Sequence, residues 1–134
     1  MSYIEQLQNK NLKVTPQRLE IVDIITQQGH ITIDNLYQSL QKKFPTLSLA
    51  TVYKNINTMQ EKEFVSEVKI PNQKNVYEIK KKKHSHIICT KCSNIIDINI
   101  DISDVIIKAK QASNYIVEDS SVVFSGICPK CQNL

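Results

Sequence analysis

The chain has 134 residues, enough for one ordinary domain or two small ones. No apolar run reaches the ~20 residues of a membrane span, and the opening MSYIEQLQNK has neither the apolar core nor the cleavage pair of a secretory signal. These features exclude a membrane-spanning or secreted class and predict a soluble, cytoplasmic protein, where paired cysteines point to metal or redox chemistry before disulfides. The net charge of +4 is uneven: residues 1–83 hold 13 Lys+Arg against 8 Asp+Glu, and residues 84–134 hold 4 against 5. A basic first part suits a domain that meets nucleic acid.

Taken in chain order, the first sixty-odd residues read as helices. A short one covers about Tyr3–Asn9. Thr15-Pro16 then gives a start signal, Thr as N-cap and Pro at the first helical position, with Leu19, Val22, Ile24 and Ile25 on one stripe and Gln28-Gly29 as the end. Thr32 caps a third helix that buries Ile33, Leu36, Tyr37 and Leu40, and Pro45 closes that segment. Ser48 caps a fourth helix running to about Glu61, in which Leu49, Val52, Ile56 and Met59 recur at three- and four-residue spacing. The period then changes. Phe64–Ile70 and Asn75–Ile79 are β-rich and flank the turn Pro71-Asn72-Gln73-Lys74. Helices followed by a two-stranded wing describe a winged helix-turn-helix.

The run Lys80–Lys83 reads as a solvated linker. Beyond it the chain reads strand, strand, helix, strand: His86–Cys89, Ile95–Ile100, a helix capped by Ser103 and reaching about Asn114, and Ile116–Phe124. The apolar runs at Ile95-Ile96, Ile98, Ile100 and Val122-Val123-Phe124 exceed what about 50 residues can bury alone, so a symmetric dimer is expected to cover them. The expected class is α+β: a winged-helix DNA-binding domain over 1–80, a linker over 81–84, and a small α/β dimerisation and metal-binding domain over 85–134.

All four cysteines fall in two pairs, Cys89-x-x-Cys92 and Cys128-x-x-Cys131. A two-residue gap lets both sulfurs of a knuckle face one ion, and two knuckles complete a tetrahedral tetrathiolate zinc site. Four thiolates leave no open position on Zn(II), so such a site is structural. A redox switch at the same cysteines is the competing reading.

The chain has three histidines, His30, His84 and His86. His84 and His86 alternate on a strand and so share a face. On spacing alone a single loop histidine such as His30 reads as a solvated side chain. With Glu78 at the end of the wing and Asp97 on the strand past the first knuckle, the histidines make a set of three nitrogens and two carboxylates. Such a set suits Fe(II), Mn(II) or Zn(II). A zinc enzyme using His84, His86 and a carboxylate is the reading from another class.

Several stretches resemble one family: Val14-Thr-Pro-Gln-Arg-Leu19, Ser48-Leu-Ala-Thr-Val-Tyr-Lys-Asn55, His84-Ser-His-Ile-Ile-Cys-Thr-Lys-Cys92 and the closing Cys-Pro-Lys-Cys131. Over nearly its whole length the chain resembles the ferric uptake regulator (Fur) superfamily, most closely its peroxide-responsive members (PerR). The resemblance implies a metal-dependent repressor, not an enzyme, acting as a homodimer on double-stranded DNA with an A·T-rich palindromic operator, and with no small organic substrate. It implies structural zinc on Cys89, Cys92, Cys128 and Cys131. It implies a regulatory site for Fe(II) or Mn(II) on His30, Glu78, His84, His86 and Asp97. By the same analogy, iron-catalysed oxidation of His30 or His84 releases the DNA. Asp97 keeps the pattern of the peroxide sensors, whereas Glu78 matches iron sensors, so a sensor of iron, zinc or nickel supply is the alternative. For DNA contact the resemblance points to Tyr53 at thymine methyls, to Thr51, Lys54 and Asn55 at phosphates or base edges, and to Lys13 in a minor groove.

Overall fold

A computed structural model describes residues 1–133. The chain divides into two compact units, Met1–Lys81 and the segment from Lys82 onward.

The first unit opens with four helices, α1 (Tyr3–Asn9), α2 (Pro16–Gln28), α3 (Ile33–Gln41) and α4 (Leu49–Glu61). Each starts on an extended Ser or Thr whose hydroxyl accepts a backbone N–H three residues on: Ser2 from Glu5, Thr15 from Arg18, Thr32 from Asn35 and Ser48 from Thr51. Each such cap stabilises its helix by about 1 kcal/mol relative to Ala. Gly29 ends α2 at φ 79° while its N–H bonds the Ile25 carbonyl at 2.8 Å. Leu7, Leu12, Ile21, Val22, Ile25, Leu36, Leu40, Val52, Ile56 and Met59 form the core, joined by Phe64, Val65 and Tyr77 from the wing.

The wing is an antiparallel pair, β1 (Val65–Val68) and β2 (Val76–Ile79), in the register Val65↔Ile79 to Val68↔Val76. Its turn carries Asn72 at φ 62°. On its other edge β2 takes one further partner. Ile31 N–H bonds the Tyr77 carbonyl at 3.1 Å and Tyr77 N–H bonds the Ile31 carbonyl at 2.8 Å.

The second unit is a three-stranded sheet in the order β4-β3-β5 with one long helix: β3 (Ser85–Cys89), β4 (Ile95–Ile98), α5 (Ser103–Ser113), β5 (Val123–Gly126) and a final turn of helix, α6 (Pro129–Gln132). β4 runs antiparallel to β3 and β5 runs parallel to it. Among the described residues from Lys82 on, the buried hydrophobic side chains are Ile88, Cys89 and Cys131. This unit has almost no core of its own. Meanwhile Ile96, Ile87 and Phe124 pair in one row across the sheet, and both ends of that row are exposed, at 50% and 45%.

Several sequence expectations are corrected. The last strand is Val123–Gly126, not Ile116–Phe124. A strand needs a partner, and β3 begins at Ser85, so residues upstream of Val122 have no ladder to join, and Ile116 is 89% exposed. Helix α5 is capped differently too. Ser103 is its first residue, and Asp101 Oδ1 accepts both the Ser103 N–H (2.9 Å) and its hydroxyl (2.6 Å). On α2 the buried stripe is Ile21, Val22 and Ile25, with Leu19 and Ile24 packed at its edge. Tyr37 is half-buried and Leu49, at the first turn of α4, is exposed. β1, β2 and β4 are each shorter at their ends than the apolar runs that announce them. The α6 turn was not anticipated, although Cys128-Pro129 repeats the Thr15-Pro16 signal of proline at the first helical position.

Candidate metal centres and nucleic-acid interface

Cys89 ends β3, and its parallel partner in β5 is Gly126. That register delivers Cys128, two residues past the strand, to the first knuckle. The four sulfurs of Cys89, Cys92, Cys128 and Cys131 lie within 4.8 Å of one another, and Cys92 and Cys128 Sγ are 3.8 Å apart. Tetrahedral thiolates at 2.3 Å from zinc sit about 3.8 Å from each other, so the donor set fits Zn(II). The backbone has prepared one thiolate. Cys128 N–H (3.3 Å) and Cys92 N–H (3.5 Å) both point at Cys89 Sγ and pull its pKa down to about 6. The crowding sulfurs of Cys128, Cys89 and Cys92, together with burial, push Cys131 up to about 12. A dication relieves that mutual repulsion, which is the electrostatic reason for four cysteines to converge.

The remaining ligand candidates fall into two groups, one per unit. In the first unit, the Ile31–Tyr77 bridge carries the flanking His30 and Glu78 together, and His30 Nε2 lies 3.0 Å from Glu78 Oε2. In the second unit, His86 and Asp97 are paired residues of the β3–β4 ladder, 3.3 Å apart at Nε2 and Oδ1. His84 Nε2 stands 3.4 Å from the same Asp97 oxygen, and the two imidazoles meet edge to face with centroids 4.5 Å apart. His84 Nδ1 lies 2.8 Å from the Lys82 carbonyl. A carbonyl only accepts, so Nδ1 donates to it and Nε2 is the ring nitrogen left on the carboxylate side. Metal-binding histidines are commonly oriented in this way.

Of the residues expected to contact DNA, Tyr53 (43% exposed), Lys54 and Lys13 are exposed. Thr51 Oγ1 is 2.9 Å from Ser48 Oγ at the start of α4. Asn55 is engaged within the unit. Its Oδ1 accepts from Arg18 Nε at 3.1 Å and its Nδ2 donates to the Thr51 carbonyl at 3.2 Å. Arg18 also donates from Nη1 to the Lys13 carbonyl at 2.9 Å. Sequence reading assigned Arg18 no role. Its only local signal is its place two residues after Pro16, and its partner Asn55 is 37 residues away. Beside Tyr53 opens a cavity of about 420 Å³ lined by residues of α3, β1 and β2, including Asp34, Glu67 and Tyr77. Among the described residues no helix is long and apolar enough to cross a membrane.

The peroxide-responsive repressor PerR of Staphylococcus epidermidis is 30% identical to this chain over 131 residues, 96% of this chain and 87% of that protein. The peroxide stress regulator of Campylobacter jejuni has a similar structure, with a TM-score of 0.68 at 37% identity, over 98% of this chain and all of that one. A zinc uptake regulator complexed with zinc and DNA shares the fold at a TM-score of 0.79 and 22% identity, over 97% of this chain and 90% of that one. A model of the Ferric uptake regulator family matches residues 9–125. With a winged helix, a four-cysteine knuckle pair and near full-length relatives, the chain belongs to the ferric uptake regulator family, whose members regulate transcription and are not enzymes.

Proposed function

We propose that this protein is a cytoplasmic, metal-dependent repressor that binds DNA as a homodimer and releases it in response to peroxide. One observation carries the proposal: every histidine in the chain presents Nε2 to a carboxylate oxygen, at 3.0 to 3.4 Å. These are imidazole nitrogen and carboxylate oxygen donors of the kind Fe(II) and Mn(II) accept. In this reading His30 and Glu78 from the first unit, and His84, His86 and Asp97 from the second, hold one ion. The ligands fix the two units at one angle, offsetting the entropy of ordering them. In a dimer that angle sets the separation of the two α4 helices and their match to successive half-sites of an A·T-rich palindrome. Tyr53 and Lys54 meet the DNA from α4, with Thr51 and Asn55 behind them and Lys13 at the neighbouring minor groove. The exposed apolar row Ile96–Ile87–Phe124 supplies the surface that a second copy covers.

Fe(II) held by these residues would activate peroxide for oxidation of a ligand imidazole: one peroxide oxygen would replace a ring C–H of His30 or His84 and the other would leave as water, so that peroxide is the two-electron oxidant and the imidazole the group oxidised. The added oxygen would withdraw electron density from the ring, weaken Nε2 as a donor and loosen the hold on the inter-unit angle. The two histidines differ in how they are held: the Lys82 carbonyl pins the His84 ring, whereas the Glu78 carboxylate faces His30.

The test is mass spectrometry of Fe(II)-loaded and Mn(II)-loaded protein after peroxide, alongside binding to an A·T-rich palindromic duplex. The expected result is a gain of one oxygen on His30 or His84 with iron only, and loss of DNA binding with iron only. Glu78 favours a second reading, a sensor of iron supply, because its extra methylene changes where the carboxylate oxygen sits. DNA binding that follows Fe(II) concentration, with both histidines unmodified by peroxide, would establish that reading instead.

A further inference from the structure

We infer that Arg18 is a positioning residue for DNA recognition, tying the loop that carries Lys13 to the recognition helix α4, and that Asn55 serves as its acceptor. The inference rests on the DNA-binding reading above and deepens it.

The geometry is specific. The Thr15 cap holds the Arg18 backbone at the start of α2. From there its planar guanidinium reaches in two directions, Nε to Asn55 Oδ1 at 3.1 Å and Nη1 to the Lys13 carbonyl at 2.9 Å. Two donors fixed in one plane make the two acceptors keep a set distance, something a single ammonium on a flexible stem cannot do. Lys13 precedes α2 by three residues and Asn55 sits in the second turn of α4, so the bridge connects two elements that no continuous backbone ladder joins. Asn55 in turn is oriented by its second contact, Nδ2 to the Thr51 carbonyl. Each end of its amide thus has a partner inside the unit, which fixes the orientation of Asn55.

A further detail gives the bridge its place. Arg18 Nη2 donates to no group among the described residues. Arg18 is half-buried, and with Nε and Nη1 holding the two protein acceptors, Nη2 is left to take a phosphate. Phosphate contacts fix the register of a protein on the duplex. Here one side chain would set both that register and the spacing between a minor-groove lysine and a major-groove helix.

The experiment uses the full chain loaded with Mn(II). The probes are an A·T-rich duplex selected from a randomised library by the unsubstituted protein, and a G·C-rich duplex of equal length. Arg18→Lys keeps the charge and removes the bridge. Asn55→Ala removes the acceptor and leaves the charge. Both should lose about tenfold in affinity for the selected duplex, and the double variant should be no worse than either alone, because the two residues act as one unit. Arg18→Lys should leave the salt dependence of binding unchanged, since no charge is lost. Matching thermal unfolding midpoints exclude a general loss of fold. Full binding by Arg18→Lys, or losses that add in the double variant, would overturn the inference while the DNA-binding reading stands. Failure of the unsubstituted protein to enrich any duplex would overturn that reading, and this inference with it.

Discussion

His30 and Glu78 meet at 3.0 Å because their neighbours, Ile31 and Tyr77, exchange two backbone hydrogen bonds. The pair is thus built by the wing of the first unit and not by helix spacing. Glu78→Gln keeps the shape and the bridge and removes the anionic donor. Mn(II)-dependent DNA binding should then need at least about tenfold more Mn(II). Zinc content, measured by elemental analysis, should stay at the level of the unsubstituted protein, since the cysteines are untouched.

Removing the structural metal should act on one unit only. With Ile88, Cys89 and Cys131 as its buried hydrophobic side chains among the described residues, the second unit needs a further source of stability, which a zinc ion on the four cysteines would supply. Binding to four thiolates is worth about 10 kcal/mol or more, far above what three buried side chains supply. Cys92→Ser, or a strong chelator, should make residues beyond Lys82 susceptible to proteolysis. The helices up to Glu61 should keep their circular dichroism, because their core is separate. Restored protection on adding zinc to the chelated protein, but not to Cys92→Ser, completes the test.

Tyr77 gives a pH signature. Burial first, then the Glu67 carboxylate at 3.1 Å from its hydroxyl, push its pKa up to about 12. The protonated form is the one the fold favours. Its contribution to stability is therefore complete below pH 10, the unfolded value, and is lost as pH rises through about 12. Of the five tyrosines, one should titrate late in the ultraviolet difference spectrum. Tyr77→Phe should abolish that late step and lower stability by about 1 kcal/mol, the usual worth of one hydrogen bond.

Gly29 ends α2 at φ 79°, where a side chain is strained even though nothing stands within 4 Å of the place a Cβ would occupy. Gly29→Ala should lower stability by about 1 kcal/mol or slightly more, read from denaturant unfolding. The next residue is His30, so the same variant should also weaken Mn(II) binding.

Phe124 and Ile96, both exposed, flank the half-buried Ile87 in one row. Phe124→Glu places a charge in that row. Sedimentation should show the unsubstituted chain as a dimer at micromolar concentration and the variant as a monomer, with its helix content unchanged.

What could be read from the sequence was whatever is local. Thr15-Pro16 marks a helix start by chemistry contained in two residues, and each Cys-x-x-Cys knuckle is complete within four. The strand over Ile116–Phe124 was misplaced because apolar composition says nothing of which segment has a partner, and β3 offers ladder positions only opposite Val123–Gly126. Ser103 missed its role as a cap because Asp101 takes the contact first. Arg18 was invisible for a related reason. Its meaning lies in Asn55, 37 residues on, and no spacing rule spans two helices and a turn. His84 and His86 were legible from their alternation on one strand, whereas His30 rose above a solvated loop side chain only through family resemblance, since its contact with Glu78 depends on a single bridge between a loop and a strand.

The 3.8 Å between Cys92 and Cys128 Sγ closes a stretch of chain whose ends are 36 residues apart. Held by an ion, that stretch would be a ring, with β4, α5 and β5 hanging between two fixed points. A covalent cross-link of this span would remove roughly 4 kcal/mol of disorder from the unfolded chain. The same ring makes the unit tolerant of length. Doubling the excursion would add only about 0.6 kcal/mol of closure entropy, so a residue inserted near Asn114 or Tyr115, where the chain is exposed, leaves the knuckles where they are. An ion on the four cysteines would thus let the helical part of the ring grow, shrink or reshape for a new partner while the sheet that carries His84, His86 and Asp97 stays in register.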